Sequence, residues 1–164
     1  MEIPYRAFEQ KAERYAYILA QLERILEETD DRVAGLANAS ALLWLLMPGL
    51  NWAGFYLMKE GGLSLGPFQG KPAVPWIPVG KGVCGTAALE KMPQVVEDVH
   101  ACCNHIACDL NSASEIVVPL LGHGGEVLGV LDIDSPRPAR FTAEDLAGLE
   151  EFARILEKEV FTEK

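Results

Sequence analysis

Two hairpin patterns, one on each side of the middle of the chain, most constrain what it can fold into. Residues 51–59 (NWAGFYLMK) alternate as a strand does. Trp52, Gly54, Tyr56 and Met58 point to one side, and Ala53, Phe55 and Leu57 to the other. Gly61-Gly62 turns this run into residues 63–65. Residues 115–121 and 126–133 form a second pair around the turn GHGG at 122–125. Tight turns between adjacent strands dictate antiparallel pairing.

Helical patterns flank the hairpins. Phe8, Ala12, Tyr15, Ile18, Leu22 and Ile25 recur at three- and four-residue steps, which predicts an amphipathic helix over 5–28. Thr29-Asp30-Asp31 caps a second helix over 32–47, apolar on most faces and expected to be buried, and Pro48-Gly49 stops it. Residues 66–78, rich in Gly and Pro, read as an irregular connection. A short helix follows over 83–91, then a short strand over 94–99 and a loop over 100–113. Phe141-Thr142-Ala143-Glu144 reads as a capping box that opens a last helix running to about residue 160. This order predicts an α+β domain: a central antiparallel sheet, the N- and C-terminal helices packed together on one face, and a loop excursion on the other. The remaining apolar surface of those helices offers a homodimer contact, with a stripe wholly used by the chain's own sheet as the equal alternative.

Composition bounds the function. The 164 residues suit a single domain over 1–164. A net charge of −10 without a Lys/Arg cluster argues against nucleic acid and anionic membrane as partners. The start of the chain has no basic-then-apolar leader, and the longest apolar run, 41–47, is far short of the ~20 residues that span a bilayer. A cytoplasmic protein is expected, in which cysteines stay reduced unless catalytic or redox-sensing.

All four cysteines, Cys84, Cys102, Cys103 and Cys108, and two of the three histidines, His100 and His105, fall within 79–115. Their spacing matches no common zinc pattern, so no metal and no cofactor is expected. Each cysteine alone reads as a small buried hydrophobe, but four in one acidic segment favour redox work. Cys84 follows Gly80-Lys81-Gly82 at a helix start, where backbone N–H groups would stabilise a thiolate. Cys108 sits in a loop, three residues after His105. Glu115 opens one strand, and Asp132 and Asp134 share a face at the end of another. Carboxylates are depleted in strands, so these mark either a solvated edge or a site for an ammonium group or a general acid.

The strings NWAGFYL, LGPFQGKPA, IPVGKGVCGTA, EDVH, HIACD, SEIVVPL and GVLDIDSP, in this order, resemble the free methionine-(R)-sulfoxide reductases, single-domain enzymes of the GAF fold. The resemblance covers roughly residues 51–149. It implies Cys108 of HIACD as the nucleophile and Cys84 of GVCGT as a second redox cysteine. It implies Glu115, Asp132 and Asp134 as the carboxylates that hold the substrate, one of them assisting protonation of its oxygen, and Trp52 and Tyr56 as the wall around its methyl end. The substrate implied is free methionine (R)-sulfoxide, with thioredoxin as reductant. Many members carry KPAC where this chain has KPAV. Val74 thus replaces a common resolving thiol and leaves that work to Cys84, or alternatively to Cys102 or Cys103. The competing class is a GAF-type module that binds a small molecule or senses redox state without turnover.

Overall fold

The computed structural model describes residues 3–4, 6–101 and 110–162. Ten elements run in the order α1 (Lys11–Glu27), α2 (Arg32–Leu46), β1 (Trp52–Lys59), β2 (Gly62–Gly70), β3 (Trp76–Pro78), α3 (Gly82–Glu90), β4 (Gln94–Val96), β5 (Ser114–Leu121), β6 (Val127–Ser135) and α4 (Ala143–Val160). The strands form one antiparallel sheet in the order β3-β2-β1-β6-β5-β4. The two hairpins therefore meet through β1 and β6, with Gly54 opposite Asp132 and Trp52 opposite Asp134.

The period-2 alternation sorts side chains onto two faces. Ala53, Phe55, Ile116, Val118, Leu131 and Ile133 face α1, α2 and α4 and make the larger core with Ile18, Leu22, Leu43, Phe152 and Leu156. Trp52, Tyr56, Val117 and Val130 face the other way, under α3 with its Cys84, Ala87 and Ala88. The helix face supplies most of the hydrophobic stabilisation, and the second face is left for polar groups.

Several expected boundaries shift. α1 begins at Lys11 rather than near residue 5. Of the stretch expected to be irregular, 71–75 is so, but 66–70 extend β2 and 76–78 form β3, because pairing of β2 with β1 and of β3 with β2 overrides the turn-forming bias of the Gly and Pro residues. The strand after α3 stops at Val96. α2 is less enclosed than its composition suggests, for Val33, Trp44 and Leu45 are exposed. No helix among the described residues is long and apolar enough to cross a membrane.

The terminal helices are tied by a buried polar cluster. Thr142 caps α4 and its N–H donates to Asp145 Oδ2 at 2.9 Å, so Asp145, not Glu144, completes the capping box. Asp145 is fully buried and also accepts from Lys11 Nζ, from Tyr15 Oη at 2.9 Å and from Arg140 Nη1 at 3.4 Å. Burial alone would push this carboxyl up, but the donors, led by Lys11, hold it below the usual carboxylate range. Asp145→Ala removes the acceptor and strands buried Tyr15. It should cost about 3 kcal/mol, a fall of roughly 10 °C in Tm, read by thermal melts at pH 7. A group with a depressed folded pKa contributes above its unfolded value and loses that contribution as pH falls through the folded one. The gap between wild type and variant should therefore close on acidification.

Candidate active site

The functional face is assembled by register. Glu115 on β5 lies opposite Asp134 on β6, which lies opposite Trp52 on β1, giving one row across three strands. The next row is Val117, Asp132, Gly54 and then Phe68 on β2. Both aspartates thus share a face, as their alternate spacing predicts. Glu115, Asp132 and Asp134 are 4%, 3% and 4% exposed, which rules out a solvated strand edge.

α3 brings Cys84 down onto this face. A Cβ on Gly85 would meet Pro78 O at 2.5 Å, so glycine there lets the helix approach β3 closely. Cys84 Sγ lies 4.0 Å from Glu115 Oε1, and its thiol also hydrogen-bonds with Asp132. The helix start was expected to favour a thiolate, and here the structure differs. Burial first, then the charges of Asp132 and Glu115, pushes the Cys84 thiol well above its ordinary pKa. A partial helix-end charge is outweighed by desolvation beside carboxylates. Asp132 is itself raised by burial, opposed by hydrogen bonds from Glu115, Cys84 and the Ile133 N–H. Two carboxyl groups hydrogen-bonded to each other need a proton between them, so this face holds protons as well as charge.

Aromatic rings wall the carboxylates. Trp52 stacks on Tyr56 with centroids 5.9 Å apart and on Phe68 at 5.1 Å. Trp52 Nε1 donates to Lys71 O at 3.1 Å and Tyr56 Oη donates to Val74 O at 2.9 Å. Their polar tips are thereby spent on the β2–β3 connection, leaving apolar faces. Val74 packs in the same cluster as Cys84. Phe68 was not among the residues expected to line the site, because 66–78 read as an irregular connection. The available signal was Gly54, a glycine inside a strand: a Cβ there would meet Phe68 Cβ at 2.2 Å.

Cys102, Cys103 and Cys108 lie outside the described residues. The chain on either side of them is anchored beside the carboxylates. Val99 N–H donates to Ala113 O at 2.9 Å, Ala113 N–H to Ser135 O at 2.7 Å, and Asn51 Nδ2 to buried Ser112 Oγ at 3.1 Å. The segment that carries Cys108 thus leaves and rejoins the sheet at the end where Trp52, Glu115 and Asp134 line up.

The GAF domain model matches residues 21–160. A protein of Escherichia coli named free methionine-R-sulfoxide reductase is 48% identical over 93% of this chain and 92% of its own length. A protein of the same name from Saccharomyces cerevisiae is 43% identical over 90% and 86%. The X-ray structure of free methionine-R-sulfoxide reductase from Neisseria meningitidis, solved in complex with its substrate, superposes with a TM-score of 0.93 at 43% identity, covering 98% of this chain and 96% of that one. With the buried carboxylates, the aromatic wall and the cysteine of α3 on one face of a GAF sheet, the chain belongs to the free methionine-(R)-sulfoxide reductases, oxidoreductases that act on sulfur.

Proposed function

We propose that the protein reduces free L-methionine (R)-sulfoxide to methionine, with Cys108 as nucleophile and Cys84 as resolving thiol. The observation that carries this reading is the cluster of three buried carboxylates beside Cys84 under an aromatic wall. Buried carboxyl groups are costly without a cationic partner, and the ammonium group of a free amino acid supplies one. A methionine within a peptide has an uncharged amide at that place. The flat faces of Trp52 and Tyr56 suit the methyl sulfoxide end.

The chemistry follows from these groups. Cys108 thiolate attacks the sulfoxide sulfur, and the oxygen is protonated by an acid of the cluster, Glu115, Asp132 or Asp134. Methionine leaves and Cys108 keeps the oxygen as a sulfenic acid. Cys84 then passes its thiol proton to a neighbouring carboxylate and attacks the Cys108 sulfur. A Cys84–Cys108 disulfide forms and the oxygen departs as water. A raised thiol pKa suits a resolving cysteine that stays protonated until it is needed. An external dithiol such as thioredoxin restores both thiols by exchange.

The test follows NADPH loss through thioredoxin reductase and thioredoxin with free R, free S and peptide-bound sulfoxides. Consumption with the free R form alone is expected. No consumption with any of them would make the chain a binding or sensing module.

A further inference from the structure

We propose that Cys84, Glu115 and Asp132 also form a binding site for a thiophilic divalent cation of the zinc class. One ligand atom from each, Cys84 Sγ and a carboxylate oxygen of Glu115 and Asp132, lies within 4.8 Å of the other two. The three residues come from α3, β5 and β6, so the donor set is held by packed secondary structure rather than by a flexible loop. Each is at least nine-tenths buried. The Asp132 carboxylate takes hydrogen bonds from Glu115, Cys84 and the Ile133 N–H, yet its Oδ1 is buried with no hydrogen-bond partner among the described residues, which leaves that oxygen to an ion.

Zinc takes thiolate and carboxylate ligands, with Zn–S about 2.3 Å and Zn–O about 2.1 Å, which sets S and O about 3.6 Å apart in a tetrahedral site. The present separation of Cys84 Sγ from Glu115 Oε1 is 4.0 Å, so closing on an ion needs a movement of a few tenths of an ångström. A divalent cation also inverts the local electrostatics. The carboxylates that oppose a Cys84 thiolate become its co-ligands, and the thiol proton leaves to solvent as the metal–sulfur bond forms. No sequence motif announces such a site, since its ligands are distant in the chain and only the fold joins them.

Occupancy would have a consequence that rests on the function proposed above. The ion would compete with the substrate ammonium and hold the thiol that resolves the sulfenic acid. Zinc would then inhibit turnover reversibly, and a chelator would restore it.

The test separates the site from that function. In the full chain carrying Cys102→Ser, Cys103→Ser and Cys108→Ser, Cys84 is the sole thiol. Cadmium is titrated in, and the ultraviolet sulfur-to-cadmium charge-transfer band is followed. One cadmium per chain is expected, displaced by zinc, with the band lost on further Cys84→Ser. Asp132→Asn and Glu115→Gln should each weaken binding about tenfold or more. An absent band, or affinity unchanged in whichever of these two variants keeps the native circular dichroism, overturns the proposal, the latter result marking adventitious thiol binding. A chain that binds cadmium in this way yet consumes no methionine sulfoxide would retain the metal site and lose the enzymatic reading instead.

Discussion

Cys84→Ser is expected to leave the first turnover intact and to remove those that follow. Without a reductant, wild type and Cys84→Ser should each release close to one methionine per chain, because Cys108 is the only thiol which that step needs. With thioredoxin, steady turnover of Cys84→Ser should fall by at least about 100-fold, the loss expected when an intramolecular thiol at high effective concentration is removed. Cys108→Ser should release no methionine in either experiment. Two features single out Cys84. The thiol is already on the carboxylate face, and the chain has valine at position 74, where the resemblance of KPAV to KPAC implies a resolving cysteine that this chain lacks. Val74 packs in the same cluster as Cys84, so Val74→Cys in the Cys84→Ser background should recover part of the turnover. Full thioredoxin-linked turnover in Cys84→Ser would move the resolving role to Cys102 or Cys103.

The hairpins show why much of this architecture was readable without coordinates. Alternation in NWAGFYLMK placed Trp52 and Tyr56 on one side and Phe55 on the other, and the sheet keeps that division. The same rule put Asp132 and Asp134 on one face. What alternation cannot supply is which strands become neighbours. The row Trp52–Asp134–Glu115 exists because β1 pairs with β6 across the sheet, a long-range fact that no local pattern encodes. The β2–β3 region was misjudged for a related reason. Its Gly and Pro residues carry a turn bias, and only pairing of β2 with β1 and of β3 with β2 makes 66–70 and 76–78 extended. Cys84 shows the limit on the chemical side. Its place at a helix start was legible, but its pKa depends on carboxylates brought from β5 and β6, and these reverse the direction expected from the helix alone. Cys108 was expected as the nucleophile from the HIACD string, and the structure adds only where its flanking chain is anchored.

Asp132→Asn should stabilise the protein while disabling it. Asp132 is buried, and burial holds its carboxyl above the ordinary pKa. Such a group binds its proton more tightly folded than unfolded. Native stability therefore declines as pH rises from the unfolded value, about 3.9, through the raised folded one. Asparagine keeps the shape, still accepts from the Ile133 N–H, and can donate to Glu115 without a shared proton. Below about pH 4 the two proteins should melt together. At pH 7 the variant should be more stable by about 1–2 kcal/mol, a few degrees in Tm. Its kcat/KM for free methionine sulfoxide should nevertheless drop about 100-fold, because one charged partner of the substrate ammonium is gone. Thermal melts across pH and steady-state assays read the two effects separately. A variant less stable than wild type at pH 7 would mean that the Asp132 charge supports the fold, and an unchanged kcat/KM would remove it from the ammonium site. Opposite signs for stability and activity are what a site built against the preferences of its own core should give. Hydrogen bonds from Glu115, Cys84 and the Ile133 N–H offset only part of what burial costs this carboxyl, and in the proposed reaction the substrate ammonium would offset more.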